Sequence, residues 1–160
     1  MDRNDLEYVG FWPRVGATII DTLLILVITG PILGAIYGPS YWRSTALVKG
    51  PADLVISWIL PAVAVVLFWM YRQATPGKMA ISARIVDART GNTPGVEQLL
   101  IRYVGYFVSI IPFFLGVVWV AFDPRKQGWH DKMAGTVVVR PKVRGPATVQ
   151  FYGRQDANRE

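Results

Sequence analysis

Three apolar stretches decide what this chain can fold into. Val15–Tyr37, Leu54–Tyr71 and Leu99–Phe122 together hold only two charged residues, Asp21 and Arg102. Every other acidic or basic side chain lies outside them. A run of about 18 or more apolar residues is long enough to cross a hydrocarbon layer ~30 Å thick, and each of the three reaches that length. The expected class is therefore an all-α polytopic membrane protein. The overall hydrophobic fraction of 52% is close to a soluble average, so it is the segregation of charge that carries this inference.

Several classes fall away. The first stretch is too long for a cleaved signal, and Asp2, Asp5 and Glu7 precede it beside only Arg3 and Arg14, so it reads as a retained span. The absence of cysteine excludes disulfides, thiolate metal sites and cysteine nucleophiles. A pI near 9.8 suits cytoplasm-facing loops beside anionic headgroups better than nucleic acid. No nucleophile–base pair, metal set or cofactor motif stands out, so neither an enzyme nor a cofactor is expected.

The first two stretches read as full transmembrane helices with aromatic ends: Trp12 before the first, Tyr37, Tyr41 and Trp42 after it, then Trp58, Trp69 and Tyr71 in the second. Pro13 suits a helix start, where its missing N–H costs nothing. Asp53 is expected as N-cap of the second helix, and Thr93-Pro94 as the cap and first position of the third. Gly30 and Gly34, four apart around Pro31, offer a surface for close helix approach. Ala83–Asp87 and Thr136–Arg140 read as two short strands, and residues 141–160 as a disordered tail.

The third stretch carries Arg102 and is broken near its middle by Pro112 and Gly116. If it crossed fully, Lys and Arg would divide 6 against 10 between the two sides; if it turned back, 14 against 2. The second division fits the positive-inside rule far better. It also lets the two strands meet, since an unpaired strand leaves backbone groups unsatisfied. A re-entrant hairpin is favoured, with arms of about 12 residues, or ~18 Å each; a third full span is the alternative. The N-terminus and tail are then cytoplasmic.

The motifs together resemble the RDD family of bacterial integral membrane proteins. The resemblance rests on Gly10-Phe11-Trp12-Pro13-Arg14-Val15-Gly16-Ala17 running into Ile20-Asp21, then Ala74-Thr75-Pro76-Gly77-Lys78-Met79 and Arg84-Ile85-Val86-Asp87. It continues through Leu99-Leu100-Ile101-Arg102 and Gln127-Gly128-Trp129-His130-Asp131-Lys132-Met133-Ala134-Gly135-Thr136, and covers residues 10–140. It implies that Arg14 and Asp21 are the family's arginine and first aspartate, and that Asp131 is the second, with Asp123 as competitor. Pro13 departs from the polar or basic residue many members carry there. A role in moving some small solute or ion is implied in the bacterial inner membrane.

Asp21 and Arg14, seven positions apart, share a helix face with ~10.5 Å of rise between them. A charged carboxylate at that depth should face protein or water. It is either an ion, proton or ligand site, or it takes a packing hydrogen bond from Arg102 or a backbone donor. Arg102 either reaches Asp21 or snorkels to the headgroups. His130 beside Asp131 invites a proton relay, although adjacent residues rarely align for one and a capping or interface role is preferred. Thr75-Pro76-Gly77-Lys78 lacks the first glycine and the Ser/Thr of a phosphate loop, so Lys78 is expected to meet lipid headgroups or Asp131. The combined expectation is a polar cluster of Arg14, Asp21 and Asp131, supported by Arg102 and Lys78, in a protein that handles a solute or ion. Two spans and a hairpin are too few to enclose a path, so a homo-oligomer or partner membrane protein is implied. The rival is an accessory or scaffold subunit whose cluster is purely structural.

Overall fold

Helix α1 (Phe11–Tyr37) and helix α3 (Pro51–Arg72) answer the first two apolar stretches in a computed structural model that describes residues 5–142. Their 27 and 22 residues give ~40 and ~33 Å of helix, enough to cross a bilayer core. Within the apolar window of each, 6% of residues are buried by the rest of the chain, so their surfaces await lipid or another protein. Thr18 and Thr29 donate their hydroxyls to the carbonyls of Arg14 and Ile25 one turn back. That satisfies them inside their own helix. In α3 the segment Leu54–Ile59 adopts a π-helical form. It lies just before Pro61, whose ring and missing N–H disturb the regular ladder.

A one-turn helix α2 (Ser40–Arg43) caps the far end of this pair. The indole of Trp42 lies over the glycines of α1, 3.5 Å from where a Cβ on Gly30 would sit and 3.8 Å at Gly34. The small-residue face thus receives a side chain, where a neighbouring helix was expected. Asp53 is not the N-cap of α3, a position held by Gly50. Instead its buried carboxylate accepts hydrogen bonds from the Lys49 amide (2.8 Å), the Tyr41 hydroxyl (2.9 Å) and Ser57 Oγ (2.7 Å).

After α3 comes a short helix, α4 (Pro76–Ala80), and then the third apolar stretch. That stretch forms α5 (Val96–Ile110) and α6 (Leu115–Ala121), bent by 112° at the intervening residues. Pro112 sits in that break, followed by Phe113 and Phe114 at φ +53° and +62°. Gly116 brings the arms together: a Cβ there would lie 2.7 Å from Ser109 Cα. The arms are unequal, α6 being about half as long as α5, whereas two of matched length were expected. The first begins two positions later than expected, with Gly95 as N-cap and its amide donated to Gln98 Oε1 at 3.0 Å.

The chain is mostly helical, but it also contains a three-stranded sheet in the order β1 (Leu6–Tyr8), β3 (Thr136–Pro141), β2 (Arg84–Asp87). Both pairings are antiparallel; Ile85 faces Val138, and Glu7 faces Arg140. The expected pair of strands is present, and β1 is an addition. It pairs because β3 would otherwise expose an edge. The central core is Val9, Trp69, Ala83, Ile85, Leu99 and Val138, so one sheet face packs on the end of α3 and the start of α5. A last helix, α7 (Trp129–Ala134), lies against α5. The contact requires Gly105, where a Cβ would come 2.9 Å from His130 Cα. The tail expected over 141–160 lies, from residue 143 on, outside the described residues, and Pro141 closes β3.

Candidate functional site

Where the three strands meet the helices, one carboxylate receives two arginines. Asp131 is wholly buried at the third position of α7, and its Oδ2 also accepts the Gly128 amide at 2.9 Å. The N3 carboxylate reaching back to the N-cap amide is one half of a capping box, and this sets its orientation. Arg14, from the first turn of α1, donates Nη1 to Asp131 at 2.6 Å, Nη2 to the Lys126 carbonyl at 2.6 Å and Nε to the Val9 carbonyl at 3.0 Å. Arg102, from α5, donates Nη1 to both Asp131 Oδ1 and Thr136 Oγ1. Burial on its own would raise the Asp131 carboxyl, but Arg102 and Arg14 hold it well below the usual carboxylate range. It is therefore ionised at any physiological pH.

Asp21 does not join this cluster. Its Oδ2 accepts the Thr75 hydroxyl at 2.5 Å and its Oδ1 the Gly77 amide at 2.7 Å. The carboxylate thus pins the Thr75-Pro76-Gly77-Lys78 turn onto α1. The approach is so close that a Cβ at Gly77 would lie 2.0 Å from the Ala17 carbonyl oxygen. Of the two readings of Asp21, the observed partners match the backbone-donor one, although the donor is Gly77 and Arg102 is engaged elsewhere. Nor does Arg102 snorkel, since it is fully buried, with the rings of Trp69 and Tyr106 5.4 and 5.8 Å from its guanidinium carbon.

Lys78 is held by this turn in an unusual state. It is only 7% exposed, and among the described residues no carboxylate or hydrogen-bond acceptor pairs with its ammonium. The centre of the Trp69 ring lies 5.9 Å from it, and Tyr106 and His130 line the same cavity. The expected contact with Asp131 is not made; that carboxylate takes the two arginines and the Gly128 amide.

His130 stacks on Tyr106 with ring centroids 3.9 Å apart, and its Nδ1 lies 3.2 Å from Ser109 Oγ. Burial pushes the imidazole down to about 3, with Arg102 and Arg14 adding to the effect and Asp131 opposing it. The serine, histidine and aspartate superficially suggest a nucleophilic triad. However, Ser109 is fully buried, donates to the Gly105 carbonyl and accepts the His130 amide, so its oxygen meets no open space. The preferred interface role fits His130 better than the relay. Asp123, the competitor for second aspartate, pairs with Lys132 and accepts the amides of Arg125 and Gln127 (3.0 and 3.1 Å). It organises the loop before α7 and touches neither arginine.

Beside the cluster is a cavity of about 310 Å³ between α1 and the α5–α6 hairpin. Its floor carries Lys78, Arg14 and His130; its walls are Val15, Ile19, Tyr106, Val117 and Val118. Ile19 and Phe114, both more than half exposed, stand at its rim. Sequence reasoning missed this cavity, along with Thr75, Thr136 and Trp69 as partners of the charged groups. The glycine-to-aspartate spacing at 128–131 was the one available signal for how Asp131 is oriented.

A family model described as the RDD family matches residues 8–135. An uncharacterised protein of Rickettsia prowazekii is 40% identical over 75 residues, covering 47% of this chain and 41% of that one. The uncharacterised membrane protein YteJ of Bacillus subtilis is 28% identical, covering 89% of this chain and 94% of its own. The uncharacterised protein YxaI of the same organism is 30% identical, covering 81% and 95%. The chain therefore spans less than half of the Rickettsia protein and nearly all of the two Bacillus ones. No solved structure is significantly similar to it.

Proposed function

This chain belongs to the RDD family, and on that premise we propose that it is a transport-type protein of the bacterial cytoplasmic membrane that takes an anion at its inner face. The supporting observation is Lys78: a largely buried lysine that lines a cavity and whose ammonium has no counter-ion among the described residues. A buried charge is normally paired. Arg14 and Arg102 pair with Asp131, and Asp21 holds the turn that carries Lys78, so three cations and two carboxylates leave one positive charge in excess. The excess positive charge favours an anion over the cation or proton that Asp21 alone suggested.

The topology that serves this reading has α1 and α3 crossing fully and α5–α6 entering and returning. Two features support it: the 14-to-2 division of Lys and Arg, and the sheet, which joins a strand preceding α1 with strands following α3 and α6. One sheet requires all three on the same side. The largely uncovered α1 and α3 leave room for a homo-oligomer or partner to complete a path.

Proteoliposomes holding the full chain test the idea. Efflux of chloride, phosphate and short carboxylates is compared with that of sodium and potassium, for wild type and Lys78→Gln. Anion efflux lost in the variant is the expected result. Absence of flux for every ion would favour the scaffold reading, which has its own support: both oxygens of Asp131 and of Asp21 accept hydrogen bonds from protein donors.

A further inference from the structure

We infer that the occupant of this site is a bilayer lipid with a net anionic phosphate headgroup, its phosphate meeting Lys78 and its alkyl chain leaving between α1 and the hairpin. The inference rests on the anion reading above and adds the chemical class and the direction of entry.

The cavity is two-sided in its chemistry. The floor has the Lys78 ammonium, without a counter-ion among the described residues, beside His130, whose Nε2 lies 3.6 Å from Asp131 Oδ2. Arg14 lines the cavity too, with three of its five N–H donors spent on Val9, Asp131 and Lys126. The walls and rim are Val15, Ile19, Phe114, Val117 and Val118, with Thr18, whose hydroxyl is already turned onto its own helix. A soluble anion would gain from the floor and waste the walls. A lipid uses both: a phosphate for the ammonium, an alkyl chain for the apolar channel. About 310 Å³ is at the low end for a ligand pocket, which suits a headgroup and the first part of a chain, the rest lying in the bilayer along exposed Ile19 and Phe114.

Position agrees with this. α1 and the hairpin are both apolar segments, so an opening between them faces acyl chains. Arg14 stands in the first turn of α1 and Lys78 just after the end of α3, which places the cationic floor at headgroup depth. Asp21 acts here as a positioning residue: through Gly77 and Thr75 it fixes the turn that delivers Lys78 to the floor.

The test is equilibrium binding to purified full-length chain in maltoside micelles, using radiolabelled phosphatidic acid, phosphatidylcholine and inorganic phosphate. Phosphatidic acid should bind best, and Lys78→Gln should weaken it by about tenfold, the expected loss of one charge-assisted contact, with phosphatidylcholine little changed. Val118→Trp, which fills the rim and leaves Lys78 in place, should abolish lipid binding, and it carries the test if Lys78→Gln fails to elute as a folded species. Equal binding of the two lipids would overturn the inference. Lys78-dependent binding of inorganic phosphate without lipid binding would overturn it too, while leaving the anion reading standing. Binding of none of the three would overturn the lipid inference and leave the anion reading to the efflux assay.

Discussion

Acid should weaken this protein well before its carboxylates titrate, and His130 should be the cause. Its imidazole is buried, stacked on Tyr106 and held down to about 3 against an ordinary 6.5. Between those two values the unfolded chain binds a proton that the folded one refuses. Lowering pH through the interval therefore favours unfolding. The full slope is about 1.36 kcal/mol per pH unit, and since the unfolded imidazole is half protonated at 6.5 already, a drop from 6.5 to 5 removes about 1.6 kcal/mol, roughly sixteenfold in the unfolding equilibrium. Asp131, Asp123 and Asp87 work in a different window. Their folded values lie below the ordinary 3.8, so the stability they add is present above 3.8 and lost only as pH falls through those lower values. The interval from 6.5 to 5 thus belongs to the histidine. Guanidinium titrations in non-ionic micelles, followed by tryptophan fluorescence at several pH values, read the slope. His130→Asn leaves a gap beside Tyr106 and lowers stability at every pH, but it should flatten the slope in this window. Equal slopes for wild type and variant, or an imidazole that titrates near 6.5 by NMR, would refute the reasoning.

Other outcomes follow from the same contacts. Asp131→Asn strands the buried Arg102 and the partly buried Arg14 and should cost about 3–5 kcal/mol by thermal unfolding in detergent; a loss under ~1 kcal/mol would mean the arginines find other partners or water. Gly77→Ala drives a methyl against the Ala17 carbonyl and should destabilise by about 1–3 kcal/mol, whereas Gly10→Ala, with no atom within 4 Å, should be close to neutral. Single cysteines are available in a cysteine-free background: Thr45→Cys should label from outside the cell and Asn92→Cys only after the membrane is opened. A cysteine at position 145 that labelled from outside would restore three full spans.

Much of the framework was legible because it depends on local composition. The two long helices follow from runs of apolar residues, the break from Pro112, and strands β2 and β3 from β-branched residues between turn signals. Strand β1 was not legible: Leu6-Glu7-Tyr8 is very short and has no turn partner, and it exists because β3, from the far end of the described chain, presents an edge to it. The site was half legible. Asp21, Arg102 and Asp131 were each identified as exceptional, since a charge in or beside an apolar segment demands a partner. Their pairing was not, because it depends on which surfaces meet. Asp21 is taken by a turn whose glycine permits contact with α1, and Arg102 by a helix that approaches closely only because residue 105 is glycine.

The charge cluster and the shape of the third apolar segment make the same demand on the membrane. Arg14 precedes the first crossing, Arg102 lies in the second turn of α5, and Asp131 follows α6. Were α5 and α6 to run on as one straight helix, residues 96–121 would extend ~39 Å and carry Asp131 to the opposite face from Arg14. Both ion pairs would then be lost, two guanidiniums would remain near the membrane without a carboxylate, and β3 would part from β1 and β2. Breaking one such buried pair costs about 3–5 kcal/mol, comparable to the whole stability of many domains. The 112° bend, the glycine at 116 that lets the arms meet, and the two arginines on one aspartate therefore stand or fall together. A variant that straightened the hairpin would have to lose the cluster and the sheet as well.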